Sequence, residues 1–373
     1  MSISIPLSSP DITEAEINAV TAVLRTPHLS LGSEMIAFET ALAEYHSLPH
    51  AVAVSSGTAG LHLALLTLGI GEGDEVILPS FTFIAVANAI LHVRATPVFA
   101  ELDPVTLNLD PTSVEQAITA RTRAILVVHT FGVPAQMDTL AKIARSNNLF
   151  LIEDACEAIG AEFEGKRAGN FGDLAVLGFY PNKQLTTGEG GAVLAHHPAH
   201  VARLRSLRNQ GRAPDGDWLD HAEVGYNCRL SELACALGRV QLSRIGEMLA
   251  MRQTAAERYD ALLRGTPELE LPPLTLPRRK ISWFVYVVRL PKHVNRDHVQ
   301  AALAQRGIAA GRYFGPIHLQ PAWQTHPSAQ AVHLPVTEAI ARRTLALPFF
   351  NRITISQQEQ VAVALREAIE SEQ

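Results

Sequence analysis

Ala51-Val52-Ala53-Val54-Ser55-Ser56-Gly57-Thr58-Ala59-Gly60 is the stretch that decides the fold. Ala51–Ser55 is a short apolar run that predicts a buried strand, and residues 57–68 carry helical spacing. The same unit then recurs. Strands are predicted at Glu75–Pro79, Thr96–Glu101, Arg123–His129 and Leu149–Asp154, with helices at 82–92, 111–119 and 135–147 between them. Strand and helix in alternation imply an α/β fold, a mostly parallel sheet with helices on both faces. Two further strands, 174–179 and 191–195, are joined by too few residues for a crossover helix, so one of them is expected to run antiparallel.

Around this centre, residues 11–25 and 33–46 read as helices before the sheet. Residues 198–209 and 230–263 read as helices after it, the second as one long connector. Pro267, Pro272, Pro273 and Pro277 punctuate a linker. Trp283–Leu290 then reads as a strand and 296–306 as a helix of a smaller α/β domain. The expected division is a large domain over 1–250 and a small C-terminal domain over 251–373.

Composition narrows the function classes. Of 373 residues, 47% are hydrophobic and 18% charged, as in an ordinary soluble protein. A net charge of -6 offers no basic footprint, so neither nucleic acid nor an anionic membrane is an expected partner. No apolar run approaches the ~20 residues that cross a bilayer. Met1–Pro6 lacks the basic and apolar regions of a secretory leader. The three cysteines, Cys156, Cys228 and Cys235, are odd in number and lack C-x-x-C spacing. They fit reduced thiols in the cytoplasm rather than a disulfide framework or a zinc site. Cys156 has no evident activating partner and reads as a small packed side chain.

In an open α/β sheet, ligands bind at the carboxyl ends of the strands. Asp154 ends one predicted strand, Ser55–Gly60 follows another, and Gly178-Phe179-Tyr180-Pro181-Asn182-Lys183 follows a third. A lysine amine and a carboxylate on separate strand ends are the two groups that pyridoxal phosphate chemistry needs. The amine forms a Schiff base with the cofactor aldehyde, and the carboxylate keeps the pyridine nitrogen protonated. Glu153 is the rival acid, but alternation along a strand turns it to the opposite face from Asp154. Gly57, Thr58 and Ala59 open a helix whose N–H groups could hold a phosphate. Phe83 could stack on the ring, and Glu157 could touch the phenolic oxygen. Thr186-Thr187-Gly188-Glu189-Gly190-Gly191 offers hydroxyls and pliant backbone for closing around a ligand.

These motifs together resemble the DegT/StrS family of sugar aminotransferases, pyridoxal phosphate enzymes of fold type I. The resemblance rests on Ser55-Ser56-Gly57-Thr58-Ala59-Gly60-Leu61-His62, Pro79-Ser80-Phe81-Thr82-Phe83, Glu153-Asp154-Ala155-Cys156, the lysine segment through Gly191, and Gly225-Tyr226-Asn227-Cys228-Arg229. It implies that Lys183 is the Schiff-base lysine and proton carrier, and Asp154 the pyridinium partner. It implies a phosphate cradle at Thr58 and Ala59. Asn227 would reach the phosphate from a neighbouring subunit, which makes the expected assembly a homodimer with shared sites. Many members have Ser where this chain has Gly178, so one phosphate contact is missing. Relatives that dehydrate sugars carry His in place of the lysine, whereas Lys183 is kept here.

Ser282-Trp283-Phe284-Val285-Tyr286 and Arg312-Tyr313-Phe314-Gly315-Pro316-Ile317-His318-Leu319-Gln320 resemble segments near the family's sugar-nucleotide site. Arg229, Tyr313 and His318 are therefore candidate substrate contacts. The expected reaction moves an amino group from glutamate to a nucleotide-linked keto-sugar, a 4-keto-6-deoxy sugar foremost. Rivals are the same chemistry on a keto-cyclitol or another ketone without a nucleotide, and a regulatory relative without activity. A Rossmann dehydrogenase is disfavoured because no G-x-G-x-x-G follows the first strand.

Overall fold

The computed structural model describes residues 4–213, 217, 219–330 and 332–372. Two helices, α1 (Glu14–Leu24) and α2 (Ser33–His46), precede the alternating region. That region runs β1 (His50–Val54), α3 (Gly57–Thr67), β2 (Glu75–Pro79), α4 (Ala85–His92), β3 (Thr96–Ala100), α5 (Pro111–Ala117), β4 (Thr122–Val128), α6 (Met137–Ser146) and β5 (Phe150–Asp154). A small hairpin, β6 (Glu162–Phe163) and β7 (Lys166–Arg167), leads to β8 (Leu174–Gly178) and β9 (Gly191–Ala195).

The main sheet has seven strands in the order β1-β9-β8-β5-β4-β2-β3. Strands β8, β5, β4, β2 and β3 pair in parallel, while β9 runs antiparallel to both β8 and β1. The short β8–β9 connection explains the reversal, as the sequence predicts. One consequence matters for function: β1, β2, β5 and β8 all point their carboxyl ends to the same rim.

Alternation along the strands sorts the core into layers. Val52, Val54, Val76, Ile152 and Val176 face one side, under α3, α4 and α7 (Pro198–Arg208). Ala51, Ala53, Ala175 and Leu177 face the other, under α2 and α8 (Glu232–Ser243). Farther along that second face, Ile77, Ile125 and Val127 meet Leu140 and Ile143 of α6. Helix α3 lies close on the sheet: a Cβ at Gly60 would stand 2.7 Å from Cγ1 of Val176, so only glycine permits this approach. Its first turn is capped by Ser56, whose Oγ accepts the Ala59 N–H at 3.0 Å.

The predicted single helix over 230–263 is two helices, α8 and α9 (Ile245–Leu263), broken at Arg244. Arg244 has φ -103 and ψ 3, and its guanidinium donates to Glu16 on α1 at 2.7 Å. A tertiary tie therefore overrides local spacing. Ile245 and Met248 join the core under the sheet, whereas Ala255, Tyr259 and Leu263 join a second core. That second core is built on β11 (Tyr286–Arg289) and β12 (Thr344–Leu347), which pair antiparallel. Helix α10 (Arg296–Gln305) and the C-terminal helix Ile355–Glu370 cover it, and β10 (Arg279–Lys280) pairs with β6. No helix among the described residues is long and apolar enough to cross a membrane.

Candidate active site

The carboxyl ends of β1, β5 and β8 open onto a cavity of about 650 Å³. Asp154, Gly57, Thr58, Phe83, Glu157 and Lys183 all line it. Residues from separate segments of the chain thus meet at one rim, as the strand alternation implies.

Asp154 is the last residue of β5 and is buried, and its Oδ1 accepts the Cys156 N–H at 3.0 Å. Its neighbour Glu153 faces away from the cavity. There its carboxylate accepts N–H groups of Gly169, Phe171 and Gly172 at 2.7–2.8 Å and pairs with His129 at 2.9 Å. The pleat alone therefore separates the acid of the cavity from the acid of the core.

Lys183 follows β8 in a turn closed by its own N–H to the Tyr180 carbonyl at 2.9 Å. Its Nζ donates to Glu157 Oε1 at 3.2 Å and lies 3.9 Å from the centroid of the Phe284 ring. The other oxygen of Glu157 accepts the Phe131 N–H at 3.0 Å. Burial pushes the Glu157 carboxyl above its ordinary pKa, against the opposing pull of Lys183 and the Phe131 N–H. Burial and the Asp154 carboxylate push the Cys156 thiol well up, so it stays neutral and is no nucleophile.

At the mouth, Phe83 is 61% exposed. Helix α4 starts at Ala85, so Phe83 sits on the turn before it rather than opening it. The C-terminal part of the chain supplies the opposite wall through Phe284, Arg312 and Tyr313. Tyr313 lies with its hydroxyl 3.5 Å from Nδ2 of Asn182, and burial raises its phenol pKa.

With this geometry in hand, comparison with known proteins decides the lineage. The model of the DegT/DnrJ/EryC1/StrS aminotransferase family matches residues 10–366. The chain belongs to this family. It is 37% identical to GDP-perosamine synthase of Caulobacter vibrioides over 369 residues, 98% of each chain. It is 39% identical to dTDP-3-amino-3,4,6-trideoxy-alpha-D-glucose transaminase of Streptomyces venezuelae over 351 residues, 94% of this chain and 90% of that one. Among solved structures, S. venezuelae DesV in complex with a ketimine intermediate superposes with a TM-score of 0.89 at 38% identity, covering 98% of each chain. The protein is thus a pyridoxal-phosphate-dependent aminotransferase of fold type I.

The donor set in the cavity fits that cofactor. An amine, a buried carboxylate, an exposed aromatic ring and the start of a helix line one space. Within α3, the N–H groups of Gly57 and Thr58 have no carbonyl one turn back to donate to, which suits an anion. Ala59 is different: its N–H is taken by Ser56, and it does not line the cavity.

Other expected residues lie elsewhere in the fold. His318 is buried, with Nδ1 2.6 Å from Ser80 Oγ, and does not line the cavity. It ties its own segment to the end of β2 instead of facing a substrate. Arg229 donates to Asn209 Oδ1 at 2.8 Å, and Asn227 bridges the same residue; both lie outside the cavity of their own chain. The hydroxyls of Thr186 and Thr187 are spent on the carbonyls of Phe179 and Glu189, at 3.0 and 2.7 Å. They hold the loop to β8 rather than waiting for a ligand.

Sequence reasoning missed Arg252. Its buried guanidinium donates to the carbonyls of Trp283, Phe284 and Lys183 at 3.0–3.3 Å, tying the lysine turn to the segment that leads into β11. Burial lowers its pKa to about 10. The available signal was an arginine on the apolar stripe of α9, between Met248 and Ala255. Arg312 was passed over as well. It is the arginine among the lining residues, and Asp297 at 3.0 Å and Gln300 at 3.3 Å orient it.

Proposed function

We propose that this protein transfers an amino group from glutamate to a keto-sugar carried on a nucleoside diphosphate, a 4-keto-6-deoxy sugar foremost. The observation that carries this is Lys183 Nζ standing in the same cavity as Asp154, in a space of about 650 Å³. That volume is in the range of small-molecule sites. When bound, pyridoxal phosphate supplies a carbon that exchanges amino groups and a ring that accepts electrons. Asp154 would hold a proton at the ring nitrogen, Gly57 and Thr58 would hold the phosphate, and Phe83 would pack against the ring. Lys183 would be the group that carries the proton, at its Nζ.

Relatives named for GDP- and dTDP-sugar chemistry support the nucleotide-linked acceptor. Arg312 and Tyr313 take the place of His318 as the contacts that receive it. Asn227 and Arg229 serve the cavity of a second copy, so the working unit is a homodimer with shared sites. Three cysteines without a disulfide suit a cytoplasmic enzyme.

The test is turnover of purified protein with pyridoxal phosphate, glutamate and a panel of GDP- and dTDP-linked 4-keto-6-deoxy sugars, read as amino-sugar by mass spectrometry. Wild type should form product, and Lys183→Ala should fall by at least about 10³-fold, in the range lost with essential catalytic groups. Product only from ketones that lack a nucleotide would transfer the reading to cyclitol-type acceptors. Equal turnover by Lys183→Ala would end it.

A further inference from the structure

Residues 312–316 form a strap that is tied at both ends. At its start, Gly311 exchanges backbone hydrogen bonds with Ala346 of β12, at 3.0 and 2.8 Å. At its end, the Ile317 N–H donates to the Ser80 carbonyl at 2.9 Å, and the His318 N–H donates to Ser80 Oγ at 3.2 Å. Ser80 directly follows β2, so the two ties fasten the strap to two different sheets. Between them, Arg312, Tyr313, Phe314 and Gly315 all line the cavity. Thr82 and Phe83, just beyond Ser80, line it as well.

A side-chain pair closes the second tie. Ser80 and His318 are both buried, with Ser80 Oγ 2.6 Å from His318 Nδ1. Because Oγ accepts the His318 N–H, its own proton is left to point at Nδ1. The ring proton then sits on Nε2, on the side of Glu338 Oε1 at 3.5 Å. In the middle of the strap, the Phe314 ring centroid lies 5.3 Å from that of Phe131 and 6.0 Å from that of Phe81. Aromatic packing holds the strap down, whereas the directional bonds to Ser80 fix its register.

We propose that the Ser80–His318 pair is a positioning device: it sets the strap against the Phe83 side of the cavity and so orients Arg312 and Tyr313 toward the acceptor. His318 acts through the strap and touches no substrate. This rests on the acceptor-binding role proposed above for Arg312 and Tyr313. Arg312 is also held by Asp297 and Gln300 on α10, at 3.0 and 3.3 Å, which is the side of the first tie. With the second tie slack, Arg312 and Tyr313 would be anchored at one end only.

The test compares substitutions in the cofactor-loaded protein. Asparagine at 318 carries an acceptor at the reach of Nδ1, whereas glutamine keeps more of the volume but carries its amide one bond farther out. Hydrogen exchange, read by mass spectrometry on a peptide spanning 312–320, should quicken by about tenfold in His318→Gln and in Ser80→Ala. It should stay within about twofold of wild type in His318→Asn, and a peptide containing Ala346 should not change in any of them. With a GDP- or dTDP-linked 4-keto-6-deoxy sugar, the two loosened variants should raise the acceptor KM by about tenfold, leaving kcat within about twofold and the KM for glutamate unchanged. A ring that merely filled space would give the opposite order, with the smaller asparagine the worse substitute. His318→Gln and Ser80→Ala break the pair from opposite sides, so one folded variant of the two suffices, and thermal unfolding identifies it. Unchanged exchange, that opposite order, or quickened exchange with a wild-type acceptor KM overturns the proposal. Wild-type protein that turned over no nucleotide-linked ketone would instead defeat the acceptor reading, and the order of exchange rates would still decide whether the pair sets the strap.

Discussion

Gly178 and Cys156 behave as one residue pair. A Cβ at Gly178 would stand 3.0 Å from both Cβ and Sγ of Cys156, and a Cβ at Gly57 would stand 2.9 Å from the same sulfur. The thiol therefore fills the space between the start of α3 and the end of β8. The missing serine hydroxyl at 178 is then a matter of volume, since Cys156 occupies the room its side chain would need. Gly178→Ser should lower stability by about 1–3 kcal/mol through overpacking and weaken cofactor retention. Adding Cys156→Ala should recover both. Chemical unfolding of the cofactor-free chain and equilibrium titration with pyridoxal phosphate would read these changes. Additive effects of the two substitutions would show that the sites are uncoupled.

At the scale of elements, β5 does two jobs with adjacent acids. Asp154 faces the cavity, and Glu153 clamps the turn 169–172 that feeds β8 and, through it, Lys183. His129 Nδ1 accepts the Ala135 N–H at 3.1 Å, so its proton sits on Nε2 and is donated to Glu153. Burial alone would raise the Glu153 carboxyl, but His129 and the backbone donors outweigh it and hold its pKa below the ordinary 4.5. A carboxyl held below its unfolded value contributes stability that is full above about 4.5 and is lost as pH falls through its folded value. Glu153→Ala leaves buried N–H groups without partners and should cost about 3–5 kcal/mol. The deficit should shrink as urea unfolding is repeated at lower pH. A deficit independent of pH would refute this account. Asp154→Asn should leave stability near wild type while removing activity, because its role lies in the cavity.

For the whole molecule, the surface beside the cavity carries the clearest unfinished feature. Leu219 and Val224 are 74% and 89% exposed on the segment that also bears Asn227 and Arg229. The Ser30–Ser231 bridge brings the exposed Leu29 and Leu31 to the base of the same region. Exposed apolar groups around two polar side chains that miss their own cavity are what a shared-site dimer requires. Sedimentation should therefore give two 40.4 kDa chains per particle. Inactive Lys183→Ala mixed with an inactive Asn227→Ala/Arg229→Ala variant should regain up to about a quarter of wild-type turnover. This follows if half the particles are mixed and each mixed particle holds one intact site. A fully active monomer, or mixtures as dead as their parts, would exclude shared sites.

Local order was legible in the sequence because it is periodic. The α/β class, the strands of the main sheet, the reversal at β9 and the choice of Asp154 over Glu153 all follow from side-chain spacing and the pleat. Strands of two residues, such as β6 and β7, carry no period to read. The break at Arg244, the grip of Arg252 and the volume shared by Cys156 and Gly178 depend on residues far apart in the chain. So does the sorting of the C-terminal candidates, in which Tyr313 and Arg312 reach the cavity while His318 turns to Ser80. Spacing along a chain records which way a side chain leaves its own element. Only packing between elements decides what it meets there.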